Sequence, residues 1–180
     1  MNPQRDRGIR AEREACALLA QALNLDVRRR ANEGIRQDIG DLIGVPDTTI
    51  QVSAVPDNPT KIAARAATKT RDAEQQRRRA GTAHALVLLR IDGGMWRAVI
   101  DSRALTELGA NAAQTAVYLN APSPGLVIRW APMFSCRDWS LITGTDTFVG
   151  TVDSWARTYH QNQTARQGAS PPAGPDTRST

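Results

Sequence analysis

Two groups of residues in this chain have the types and spacing for phosphate chemistry. Glu12, followed at once by Arg13, falls in a stretch of helical periodicity, and Asp41 stands ten residues before Gln51-Val52-Ser53. Magnesium takes hard oxygen ligands, commonly one or two carboxylates, with waters and phosphate oxygens completing the octahedron. On a strand Gln51 and Ser53 share one face and Val52 takes the other. An Asp41 lying beside that face could therefore share an ion with Gln51. Plainer roles stay open for each: Glu12 as a carboxylate in the first turns of a helix, Asp38 and Asp41 as turn residues around Gly40, Gln51 and Ser53 as solvent-facing strand positions.

Other chemistries find less support. Cys16 and Cys136 have no CxxC partner, so a zinc site is not expected, and Cys16 reads as a small core residue. His84 is expected at a strand edge and His160 in a mobile end, neither with a partner for nucleophilic or metal chemistry. Trp96, Trp130, Trp139 and Trp155 are expected mainly in the core. The net charge of +5 favours an anionic partner. Arginine supplies 21 of the 23 basic residues, Lys61 and Lys69 being the lysines, which suits bidentate phosphate contacts. Arg28, Arg29, Arg30 and Arg36 precede the candidate site, and Lys61, Arg65, Lys69, Arg71, Arg77, Arg78 and Arg79 lie on the segment after it. With no zinc-finger, RNP or Gly-rich phosphate motif, such a surface would read DNA by its phosphates rather than by its bases.

The elements that must position these residues follow from periodicity. Ile9, Ala15, Cys16, Leu19, Ala22 and Leu23 mark an amphipathic helix over 8–25. A short strand is predicted over 26–30, then two antiparallel strands joined by a turn at Pro46-Asp47, the second being Thr48–Val55. Thr60 is an N-cap candidate for a helix over 61–80 closed by Gly81. His84–Arg90 is nearly all apolar, as a central buried strand would be, and Met95–Ile100 is the next strand. The order α-β-β-β-α-β-β belongs to the mixed α/β class. Beyond it, 102–113 is predicted helical, 126–130 a strand and 151–160 a closing helix.

In this order the motifs resemble the PD-(D/E)XK nuclease superfamily, nearest to Holliday-junction-resolvase-like proteins of actinobacterial phages. The resemblance runs from Arg7-Gly8 through the helix with Glu12, the Gly40-Asp41 pair, Gly44-Val45-Pro46 and the strand with Gln51-Val52-Ser53. It implies a restriction-endonuclease-like fold over 1–100. It also implies a Mg²⁺ (or Mn²⁺) site of Glu12, Asp41 and Gln51, with Asp38 the alternative to Asp41. The function implied is a DNA-recombination hydrolase, an endodeoxyribonuclease acting on branched or structured DNA. The last motif departs from the family's E-x-K: a glutamine removes one charge from the site, and Ser53 cannot replace an ammonium group. Lys61, with Lys69 and Arg65 on the same helix, is the candidate to supply the missing cation. The departure opens the alternative of a catalytically inactive relative that binds DNA or protein.

The expected organisation is a core over 1–100, an extension over 101–160 packed on it, and a disordered tail over 161–180, where large apolar residues are absent. The charged start and the lack of an apolar run long enough for a membrane span point to a cytoplasmic protein. A homodimer would suit a two-fold junction.

Overall fold

The computed structural model of the chain describes residues 3–30, 39–107, 139–142 and 145–168. The elements run α1 (Pro3–Leu23), β1 (Arg28–Arg29), β2 (Leu42–Ile43), β3 (Thr48–Val55), α2 (Pro59–Ala80), β4 (His84–Ile91), β5 (Met95–Asp101), α3 (Ser102–Glu107), β6 (Trp139–Leu141), β7 (Thr147–Gly150) and α4 (Val152–Gly168). The strands form one mixed sheet of order β1-β2-β3-β4-β5-β7-β6. The parallel pair β3/β4 at its centre is linked by α2, and the other pairings are antiparallel. The α-β-β-β-α-β-β order expected for the first hundred residues is thus present, and β7 and β6 extend the same sheet.

Alternation along the central strands divides the core in two. Ile50, Leu86, Leu88, Ala98 and Ile100 pack with Ala15, Leu19 and Leu23 of α1 and with Trp155, Ala156 and Tyr159 of α4. On the other face Val55, Val87, Leu89, Ile91 and Val99 meet Ile62, Ala63, Ala66 and Ala73 of α2. An alanine-rich helix face works here because both faces of the central strands are apolar, and small side chains let the helix lie close to them.

Several expectations are corrected. Asn58, not Thr60, caps α2: its side chain accepts from the Lys61 N–H at 3.0 Å, and Pro59 takes the first helical positions, where its missing N–H costs nothing. Gly81 closes the helix in the left-handed conformation, as expected. His84 lies at no edge; it opens the central strand and is 1% exposed. Burial holds its ring below the usual histidine range, and the nearby Arg166 charge adds to this. Residues 161–168 continue α4 rather than beginning a disordered tail, and His160 lies within that helix. Once the first turns are anchored by Trp155 and Tyr159, each further polar residue extends a helix already nucleated. Trp139 and Trp155 are fully buried. Cys16 is half-buried against the α1 core, and burial pushes its thiol up. Cys136, Trp130, the strand expected over 126–130 and the helix beyond Glu107 lie outside the described residues.

Candidate functional site

Gly40 and Gly44 bring β2 into place. Gly40 has φ +101°, and a Cβ there would lie 2.9 Å from the Ile50 carbonyl oxygen of β3. The chain therefore passes β3 at a distance that only a glycine permits. Asp41 follows, and its backbone N–H donates to the Ile50 carbonyl at 2.7 Å. Its carboxylate Oδ2 accepts the Val52 N–H, also at 2.7 Å. Since β2 pairs with β3 only at Leu42 and Ile50, the Asp41 side chain caps the first β3 donor past the end of that ladder. Asp41→Ala should cost about 1 kcal/mol, the usual net worth of a hydrogen bond at a half-buried N–H. Urea denaturation measures it, and an unchanged midpoint would show that the cap carries no stability.

Asp41 thus lies against the β3 segment that carries Gln51, but the other candidates divide between the two faces of the sheet. Glu12, on α1, accepts from Arg29 Nε of β1 at 2.5 Å, the two side chains being 23% and 32% exposed. Gln51 and Ser53 stand in register with Val87 and Leu89, which belong to the α2 side of the core. Val52 packs toward α1. The sheet therefore separates the Gln51 side chain from the helix that carries Glu12. Gln51 is also not solvent-facing: it is 7% exposed, and its buried Oε1 has no hydrogen-bond partner among the described residues. Within the described residues no group of three His, Cys, Asp or Glu side chains could hold a metal. With Glu12 and Gln51 on opposite sides of the sheet and Glu12 paired with Arg29, the full set of Glu12, Asp41 and Gln51 does not fit the single Mg²⁺ or Mn²⁺ ion that the resemblance implies. Asp38 lies outside the described residues.

The basic candidates sort in the same way. Arg28 pairs with Asp26, Arg29 with Glu12, and Lys69 with Asp72 at 3.3 Å. Arg77 and Arg78 bind Glu74. Arg13 is exposed on α1, Arg30 bonds the Asp41 carbonyl through its backbone N–H, and Arg36 lies outside the described residues. Lys61 and Arg65 are exposed and line a cleft of 310 Å³ with Val55, Pro56, Ala64 and Thr68. They make no ion pair among the described residues.

A second cleft, of 480 Å³, opens on the other side of Val55-Pro56, lined by Arg7, Arg10, Ala54, Arg90 and Asp92. Arg90, 20% exposed at its side chain, is held by Glu14 at 2.6 Å, and Arg10 reaches the same carboxylate at 3.2 Å. The Arg90 hydrogen bond, together with the charges of both arginines, outweighs the desolvation of Glu14 and holds its carboxyl below the usual range. Periodicity does not reveal this cleft, because its cations come from three separate positions. The available signal was Arg90 itself: a charge ending the apolar run HALVLLR must find a partner or an opening.

A scan against protein-family models finds no match, and neither does a search of curated proteins or of solved structures.

Proposed function

We propose that the chain is a nucleic-acid-binding protein on a restriction-endonuclease-like core, one that holds phosphates without cutting them. The observation that carries this reading is the gathering of five cations at the carboxyl ends of β3 and β4, against which Glu14, shared by Arg10 and Arg90, sets one negative charge. Arg7, Arg10 and Arg90 stand on one side of Val55-Pro56, and Lys61 and Arg65 on the other. In open α/β sheets ligands settle at the carboxyl ends of the strands, and clustered arginines supply the phosphate-led part of DNA affinity. The binding reading is favoured over the nuclease because Glu12 is spent on Arg29 and Gln51 faces the opposite side of the sheet.

The test is purified protein with a four-way DNA junction and a matched duplex, assayed for binding and for cleavage with Mg²⁺, Mn²⁺ or EDTA. The expected result is binding that weakens steeply between about 50 and 200 mM salt, as release of counterions requires, without metal-dependent products. Metal-dependent cleavage that disappears in Asp41→Ala would overturn this reading in favour of the nuclease. Failure to bind either DNA at low salt would remove duplex and branched DNA as ligands.

A further inference from the structure

The two clefts are neighbours but not one surface. Val55 and Pro56 line both, so the end of β3 forms a saddle with a basic hollow on either side. Ala54 and Arg90 share a register position, and Arg90 stands beside Trp96 on β5, whose partly buried ring packs toward the α1 side. Lys61 and Arg65 belong to the first turns of α2, on the opposite side of the sheet. A ligand that meets both hollows must bend over the saddle.

That geometry discriminates among nucleic acids. A duplex is a stiff rod with a persistence length of about 150 bp, and both its strands hold their phosphates on the outside of a wide cylinder. It can lie along one hollow, but it cannot fold over a strand end two residues wide to fill the second. A single strand turns within a few nucleotides and can place successive phosphates on the two sides. We propose that the clefts are consecutive phosphate seats for one single-stranded segment draped over Val55-Pro56, Arg7, Arg10 and Arg90 forming one seat and Lys61 and Arg65 the other. This rests on the nucleic-acid reading above and names its substrate. Among the described residues no aromatic side chain lines either cleft, so the seats hold backbone and leave base identity unread.

Asp92 lines the arginine hollow as well. It is exposed, and its side chain has no hydrogen bond or ion pair among the described residues. An unpaired carboxylate beside a phosphate seat opposes the ligand, so its removal should tighten binding, which mere loss of structure would not do.

The experiment measures anisotropy of labelled dT12, a 12-bp duplex and a four-way junction with the full chain across a salt series. The expected order is dT12 tighter than duplex. Arg7→Gln and Arg65→Gln should each weaken dT12 about fivefold, the usual size of one exposed charge contact, and reduce the salt slope by about 0.7. Asp92→Asn should tighten dT12 by about twofold to fivefold. Arg78→Gln, on α2 but away from both clefts, should change dT12 binding little. The inference is overturned if duplex binds as well as dT12, or if Arg7→Gln and Arg65→Gln bind normally while Arg78→Gln does not. Absence of binding to all three probes would instead overturn the functional reading and this inference with it.

Discussion

Gly44→Ala should cost about 3–5 kcal/mol and bring the chain close to unfolding, because two separate penalties add. The residue has φ +107°, where an L side chain is strained whatever the space around it. A Cβ there would also lie 2.1 Å from the Asp26 carbonyl oxygen, with the Asp26 carbonyl carbon and Val27 Cα both at 3.0 Å. All three atoms are backbone, so no rotamer change relieves the clash, and β2 would have to move away from the segment leading into β1. The pairing of Arg28 with Ile43 and Arg29 with Leu42 would go with it, and Arg29 would lose its place against Glu12. Gly93→Ala is the matched control. Its φ is +89°, but a Cβ there meets nothing within 4 Å, so only the conformational penalty of about 1–2 kcal/mol applies. Urea denaturation of both variants decides the matter. A Gly44→Ala protein within 1 kcal/mol of Gly93→Ala would show that the steric term is absent.

The same glycines explain how far sequence reasoning reached. Gly40-Asp41 and Gly44-Val45-Pro46 were legible as motif positions, and both glycines prove to serve close passages of backbone against backbone. Their spacing is therefore a requirement of the β1-β2-β3 edge whether or not catalysis occurs there. The order of elements was legible because the helical and strand periods are clean through residue 100, and because Pro46-Asp47 forms the expected turn, with Asp47 at φ +53°. Alternation also placed Gln51 and Ser53 on one face of β3. What alternation cannot say is which helix covers that face. Here α2 covers it, and this one tertiary fact separates Gln51 from Glu12. Long basic side chains defeat a linear reading for a related reason. Arg28, Arg29 and Lys69 each answer one carboxylate, whereas Arg7, Arg10 and Arg90 converge, with Arg10 and Arg90 sharing Glu14, only after α1 has docked beside the end of β4.

Glu74→Gln is expected to lower stability by about 2–3 kcal/mol at neutral pH and by almost nothing near pH 2. Glu74 is 15% exposed at its side chain and ties three arginines together. Arg77 donates from Nε at 2.7 Å and from Nη2 at 2.8 Å, Arg78 from Nε at 3.2 Å, and Arg103 of α3 from Nη2 at 3.0 Å. Burial alone would raise this carboxyl, but the hydrogen bonds from Arg77 and Arg78 and the charges of Arg103 and Arg77 prevail and bring it from 4.5 to about 2. A folded-state value below the unfolded one means that the native protein resists protonation there. The stabilisation is thus complete above about pH 4.5 and is lost as pH falls through that value toward about 2. The full shift corresponds to about 3 kcal/mol, and the partial exposure of Arg103 and Arg78 to water reduces it somewhat. Glutamine keeps the shape and one acceptor but cannot titrate, so the difference between wild type and variant isolates this carboxyl from Glu14 and Asp26, which titrate in both proteins. Urea denaturation at steps from pH 7 to pH 2 should show the two stabilities converging across that window. A difference that stays constant with pH would mean that the Glu74 charge contributes nothing and that its shape alone holds α2 to α3.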